Sequence, residues 1–331
     1  MKLRPVRLEP QFVPRIWGAR NLAPLFPDKQ SLPEPIGEAW LTGNDCRFAD
    51  GPFAGEKLGD AWPRMSDEWS DRNVSRDVPF PLLVKFLFPE EKLSVQVHPD
   101  DDYARKNEGA AGAVGKTEMW YVIAAREGAE VRVGLRPGVD RECFRRAIAD
   151  GRAEGCLERV AVHAGDTIFV PAGTVHTIGP GMTICEIQQN SDVTYRVFDF
   201  NRSTPEGKGR ELHIDKSMDV IRFGAQRGGK VAPVEVKNSR NSVSILVQCA
   251  HFAVLRSVFA EPEHRVKAES LMEILVVLEG RGKIEIPGAQ AEMEYMRAQT
   301  WLVPAVIRDL RFVPESRTTM LHAYVPTEIS A

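Results

Sequence analysis

Gly165-Asp166-Thr167-Ile168-Phe169-Val170-Pro171-Ala172-Gly173-Thr174-Val175-His176 is the stretch whose reading decides the fold. Gly165-Asp166 opens a turn, Thr167 to Val170 is a short strand of β-branched and aromatic residues, and Pro171-Ala172-Gly173 bends the chain sharply. His176 is then delivered to the mouth of a closed β-structure, where ligands from neighbouring strands can converge on it.

Short apolar or alternating runs of the same kind recur on both sides of this stretch: Leu82 to Phe88, Leu93 to His98, Met119 to Ala124, Val131 to Leu135, Thr183 to Gln188 and Thr194 to Phe200. Turn residues such as Gly179-Pro180-Gly181 separate them, which is the pattern of an all-β sandwich or barrel rather than of βαβ units. Helical patterns are few. Asp100 to Lys106 and Asp140 to Ala149 read as short helices with an acidic start, and His213 to Phe223 as a weaker third. Residues 226–239, rich in glycine and charge, read as a linker. They divide a catalytic domain (1–225) from a smaller β-domain (240–331), where alternation resumes at Val243 to Cys249, Phe252 to Phe259, Met272 to Leu278, Lys283 to Ile286 and Thr300 to Val303.

A length of 331 residues accommodates two cores, and 43% hydrophobic with 27% charged residues is an ordinary globular composition. No run approaches the roughly 18 apolar residues of a membrane helix, and Met1-Lys2-Leu3-Arg4-Pro5 lacks a leader's apolar segment, so a cytoplasmic protein is expected. A net charge of −3 without a basic run gives no attraction to nucleic acid. The five cysteines are scattered with no Cys-x-x-Cys pair, so any metal should be held by nitrogen and oxygen.

Two further segments offer such ligands. In Leu93-Ser94-Val95-Gln96-Val97-His98 a period of two sends Ser94, Gln96 and His98 to one face, with adjacent members roughly 6 to 7 Å apart. In Gly115-Lys116-Thr117-Glu118-Met119-Trp120 a carboxylate heads an apolar strand and shares a face with Lys116. Such a pair is more often a surface ion pair of little worth, but Trp120 and Ile123 carry the strand into a core. Gln96, His98, Glu118 and His176 together make a set suited to zinc or another borderline divalent ion, with room for water or substrate.

The opening stretch matches the second cupin motif, Gly-x5-Pro-x-Gly-x2-His, at each fixed position. The wider chain resembles the type I phosphomannose isomerases in their short bacterial form, through Arg15-Ile16-Trp17-Gly18, Ile36-Gly37-Glu38-Ala39-Trp40, Leu82 to Lys85, Leu93 to Asp100, Lys116 to Tyr121 and Glu186 to Arg196. The resemblance implies a mainly β protein of two cupin-like jelly-roll barrels with a few short helices. It implies Gln96, His98, Glu118 and His176 as ligands of one zinc ion, Arg196 as an essential arginine, and Lys116 and Glu186 as acid–base residues. It places the substrate against Ser94, Lys85, Arg202, Trp17 and Glu38. The activity it implies is interconversion of mannose 6-phosphate and fructose 6-phosphate through a cis-enediol. The partner is then a small sugar phosphate, with neither nucleic acid nor membrane, on a monomer or homodimer. An iron-dependent cupin dioxygenase, a non-catalytic sugar-binding cupin and an isomerase of another sugar phosphate are the competing readings.

In the second domain, aligning Pro304 with Pro171 puts Ala298, Val306 and Asp309 at the positions of Gly165, Gly173 and His176. Nothing from Phe252 to Ile286 supplies a polar triplet. A barrel there is expected to lack metal ligands.

Overall fold

The computed structural model describes residues 3–327 apart from 24, 71–73, 110–112, 203–206, 208, 225–227, 268–269 and 290–291. The chain folds into antiparallel sheets stacked as two jelly-roll barrels side by side. In the first barrel, a seven-stranded sheet runs in the order Gly229–Val231, Thr167–Val170, Glu118–Ala125, Met182–Gln189, Leu82–Leu87, Ile36–Trp40 and Gln11–Ala19. It faces a five-stranded sheet of Tyr195–Phe198, Val95–Val97, His176–Ile178, Glu130–Leu135 and Leu157–Ala161.

Alternation along each strand assigns its side chains to different layers. From the strand Glu118–Ala125, Trp120 and Val122 enter the barrel with Leu87, Ile168 and Ile184, while Met119 and Tyr121 point outward into a second core. That second core lies between the two barrels and joins Leu82, Val84 and Phe86 to Phe252, Val254, Ile274 and Leu321. Leu82–Leu87 is therefore covered on both faces, which explains why it reads as an apolar run apart from Lys85. Val95, Val97 and Val197 face outward from the five-stranded sheet onto Phe144, Ile148, Met218 and Val220 of the helices Arg141–Ala149 and Ile214–Val220. Their polar neighbours Ser94, Gln96 and His98 are left to face the interior.

The helices start where the sequence places them. Asp100 accepts from the backbone of Tyr103 ahead of Asp101–Asn107, and Asp140 from Cys143 ahead of Arg141–Ala149. Among the described residues no helix is long and apolar enough to cross a membrane.

In the second barrel, an eight-stranded sheet opposes a four-stranded one of Glu263–Val266, Asp309–Pro314, Arg281–Glu285 and Glu292–Met296. The chain's own beginning takes part, since Val6–Glu9 pairs with Thr300–Val303. The segment 226–239, read from sequence as a linker, holds strands on both sides of the junction: Gly229–Val231 pairs with Thr167–Val170, and Val234–Asn238 with Ser242–Gln248. These strands are short and the second is exposed throughout, so no burial pattern marked them. Residues 226 and 227 lie outside the described residues.

The shared core predicts that the two halves unfold together. Phe86→Ala should cost about 3–5 kcal/mol and leave one calorimetric transition, shifted down; two transitions, only one of them shifted, would contradict the shared core.

Candidate metal centre and active site

The turn Pro171-Ala172-Gly173 is locked by its neighbours. Gly173 has φ +82°, and a Cβ there would lie 2.8 Å from the Val220 carbonyl oxygen, so a side chain is excluded on both counts. Its amide donates to the His98 carbonyl at 2.8 Å, and the Lys116 amide donates to the Pro99 carbonyl at 3.0 Å. His176 is registered directly opposite Gln96. The three ligand-bearing segments are thereby tied to one another through their main chains.

Their side chains meet. His176 Nε2 is 3.3 Å from Glu118 Oε1, and His98 Nε2 is 3.6 Å from Glu118 Oε2, with all three residues about 1% exposed. Both imidazoles donate from Nδ1 to a carbonyl, His98 to Val193 and His176 to Thr174, each at 2.9 Å. Nε2 is therefore the lone-pair nitrogen on each ring, and both lone pairs are turned to the carboxylate. Burial above all, then the Lys116 charge, keeps His98 well below the ordinary imidazole range; burial likewise lowers His176. Gln96 Nε2 lies 3.3 Å from His176 Nε2 while its Oε1 accepts from Ser94, so a half-turn of the amide would present oxygen to the cluster. Among the described residues, His98, Glu118 and His176 form the group of three that could hold a metal ion. Two neutral imidazoles and a carboxylate, beside an amide, fit a borderline divalent cation.

Lys116 lies within this group rather than on the surface. Its Nζ is 2.6 Å from Glu118 Oε2 and 3.1 Å from His98 Nε2. Burial would raise the Glu118 pKa, but the Lys116 charge and hydrogen bond bring it below the ordinary carboxylate range. The ammonium thus contacts the atoms that a cation would claim.

The cluster opens through Gln96 onto a cavity of about 460 Å³, lined also by Trp17, Glu38, Lys85, Ser94, Lys116, Glu186 and Arg196. That volume falls in the range of roughly 300–1,000 Å³ common for small-molecule sites. Glu186 is held on both oxygens: Trp120 Nε1 donates to Oε2 at 3.0 Å, and Lys85 Nζ stands 3.0 Å from Oε1. Lys85, expected against the substrate, thus already has a carboxylate partner, and Glu186 and Glu38 raise its pKa against the effect of burial. Glu38 itself accepts from Arg15 at 3.0 Å and from Trp40 at 2.6 Å.

Arg202, expected to contact substrate, is not among the cavity's lining residues. Its Nη1 donates to the Lys92 carbonyl at 2.6 Å and its Nη2 to Asp199. Arg210 instead lines the cavity, together with Arg15, Asp192 and Thr194. Sequence reasoning missed Arg210 because it stands in an irregular stretch before the helix Ile214–Val220, where no periodicity gives direction.

Comparison with known proteins places the chain in a family. Residues 6–124 match the family model of the phosphomannose isomerase type I catalytic domain. The chain is 37% identical over 298 residues to a probable mannose-6-phosphate isomerase of Bacillus subtilis, covering 87% of this chain and 90% of the relative. The crystal structure of a mannose 6-phosphate isomerase from Bacillus subtilis superposes with a TM-score of 0.87 at 30% identity, covering 97% of this chain and 99% of that one. A zinc-bound mannose 6-phosphate isomerase shares the fold at TM-score 0.72 and 16% identity, with 97% of this chain and 99% of that one covered. The chain belongs to the type I phosphomannose isomerase family.

If Lys116 and a cation compete for Glu118, Lys116→Met should lower the stability of the metal-free protein by about 3–5 kcal/mol, the cost of stranding one partner of a buried pair. Added zinc should then raise the melting temperature of the variant more than that of the parent. Equal shifts in thermal melts of the chelated and zinc-loaded proteins would show that they do not compete.

Proposed function

We propose that this chain interconverts mannose 6-phosphate and fructose 6-phosphate, with zinc held by Gln96, His98, Glu118 and His176. The observation that carries the reading is the opening of one buried nitrogen and carboxylate donor set onto a cavity that also presents a lysine, a carboxylate and an arginine. Aldose–ketose isomerisation needs those parts: a cation, a group that moves a proton between C1 and C2, and fixed positive charge for the oxygen that becomes anionic. The relatives' names, and the zinc in a protein of the same fold, support the substrate and the metal.

A bound divalent ion would polarise the sugar's carbonyl and lower the cost of the charge that develops there. Lys116 and Glu186 both line the cavity, and one of them would take the C2 proton and return it to C1 by way of a cis-enediol. Trp120 and Lys85 fix both oxygens of Glu186, so its carboxylate keeps one orientation towards the substrate. Arg196 stands opposite Gln96 in the adjoining strand and supplies a planar, permanently charged fork at the reacting end. Trp17, buried, walls the cavity and helps exclude water.

Purified protein, assayed with mannose 6-phosphate, glucose 6-phosphate and fructose 6-phosphate and analysed for metal, provides the test. His98→Ala should lose bound metal and about 10³-fold in kcat/KM, corresponding to several kcal/mol of charge stabilisation. Arg196→Lys should lower kcat, since an ammonium cannot reproduce the fork. Undiminished turnover after exhaustive chelation would rule this mechanism out.

A further inference from the structure

Three guanidiniums, those of Arg15, Arg196 and Arg210, line the one cavity. They come from separate parts of the chain: the strand Gln11–Ala19, the strand Tyr195–Phe198, and the stretch before the helix Ile214–Val220. Two are balanced locally. Arg15 pairs with Glu38 at 3.0 Å, and Arg210 Nε donates to Asp199 Oδ2 at 2.7 Å. Among the described residues Arg196 forms no ion pair, and its Nε is buried without an acceptor. Burial, then the Arg210 charge and finally that of Arg15, lower the Arg196 pKa against Asp199 and Asp192, so the guanidiniums feel one another across the cavity. An unfilled buried donor beside two like charges is a cost that an anion bound among them would return.

The strands say at which end that anion would lie. Tyr195–Phe198 runs antiparallel to Val95–Val97, with Tyr195 opposite Val97, Arg196 opposite Gln96 and Phe198 opposite Val95. Asp199 continues past Phe198 towards Ser94, and Arg202 reaches the Lys92 carbonyl there at 2.6 Å. Arg210, held by Asp199, therefore stands at the Ser94 end of the cavity, whereas His98 and Lys116 mark the other. Ser94 and Gln96 are two strand residues, roughly 7 Å, apart, a span comparable to that separating the reacting carbons of a hexose from its 6-phosphate.

We propose that Arg210, acting with Ser94, binds the substrate's phosphoryl group while Arg196 stays with the reacting end, and that Arg202 is a positioning residue that orients Asp199 and, through it, Arg210. This rests on the sugar-phosphate reading above. Arg202 has its Nε, Nη1 and Nη2 engaged with Asp199 and Lys92, which leaves it braced rather than offered to a ligand.

The test compares the zinc-loaded parent with Arg210→Ala and Arg210→Lys, reading the calorimetric Kd of inorganic phosphate and the KM and kcat for mannose 6-phosphate. Losing a charged hydrogen-bond partner should weaken phosphate binding roughly ten- to hundredfold in Arg210→Ala. KM should rise by a similar factor and by far more than kcat falls, and Arg210→Lys should recover part of both. Arg202→Gln should show a smaller rise in the same two constants. Phosphate affinity unchanged in both Arg210 variants would overturn the proposal. Should Arg210→Ala fail to fold by thermal melting, the phosphate Kd of Arg210→Lys decides alone, because its ammonium can keep the Asp199 pair but not the fork. A parent that binds phosphate through Arg210 yet isomerises no sugar phosphate would sink the functional reading while leaving this site standing.

Discussion

A carboxylate with almost no exposure, Glu118, sits between two neutral imidazoles at the floor of the cavity. Such a group is tolerated only where positive charge is brought to it, and the surrounding structure is arranged to do that. Lys116, two residues earlier in the same segment, meets the requirement in the protein alone. The rings leave no slack, because each is pinned through Nδ1 to a carbonyl and so cannot turn its lone pair away. The main chain leaves little more. The His98 carbonyl accepts from Gly173, and the Thr117 amide donates to Gln189 Oε1 at 2.9 Å, so the ligand segments cannot separate without breaking bonds that are shielded from water. Preorganisation of this kind lets a site bind a cation without first paying to order its ligands.

How much of this could be read from sequence depends on how far a side chain lies from the backbone that orients it. Gln96 and His98 were legible because strand alternation fixes direction, and the outward neighbours Val95 and Val97 confirm it by packing against helices. Glu118 and His176 were legible for the same reason, reinforced by the bend that only glycine allows at position 173. Lys85 was legible as an anomaly, an ammonium inside an apolar run, but not in its partner. Glu186 lies about a hundred residues away in sequence and meets Lys85 only through the register of two strands. The arginines were the least legible. Arg202 and Arg210 are long, flexible and set outside regular strands, so which of them reaches the cavity is decided by Asp199 and the Lys92 carbonyl, contacts that no local pattern encodes.

The fold shows the same division. Strand existence followed from alternation, whereas the pairing of Val6–Glu9 with Thr300–Val303 is a contact between sequence extremes. A boundary drawn from composition cannot register it. The continuous burial of Leu82–Leu87 has a like origin, since one face lines a barrel and the other enters the core shared by both.

The second barrel shows what happens to the same architecture when its charge is balanced differently. Glu118 begins its strand opposite Val170, and Glu273 begins its strand opposite Val303, at the matching place in the second barrel. Two residues on, Trp120 faces Glu186 across the sheet, and Leu275 faces His322. Glu273 and His322 are as deeply buried as His98, Glu118 and His176, so this barrel, expected to lack a polar ligand triplet, still holds a buried carboxylate and imidazole. Here, however, the carboxylate is met by Arg265, which lies on the opposing four-stranded sheet. Burial would raise the Glu273 pKa, but Arg265 and His322 drive it far below the ordinary range. A guanidinium is a permanent cation with fixed directions, and one that contacts the carboxylate from the opposite sheet occupies the approach a metal would need. Around it Trp301, Val303 and Phe312 fill the barrel. The first barrel balances its carboxylate with a lysine beside an open cavity; the second has made the equivalent charge part of its core.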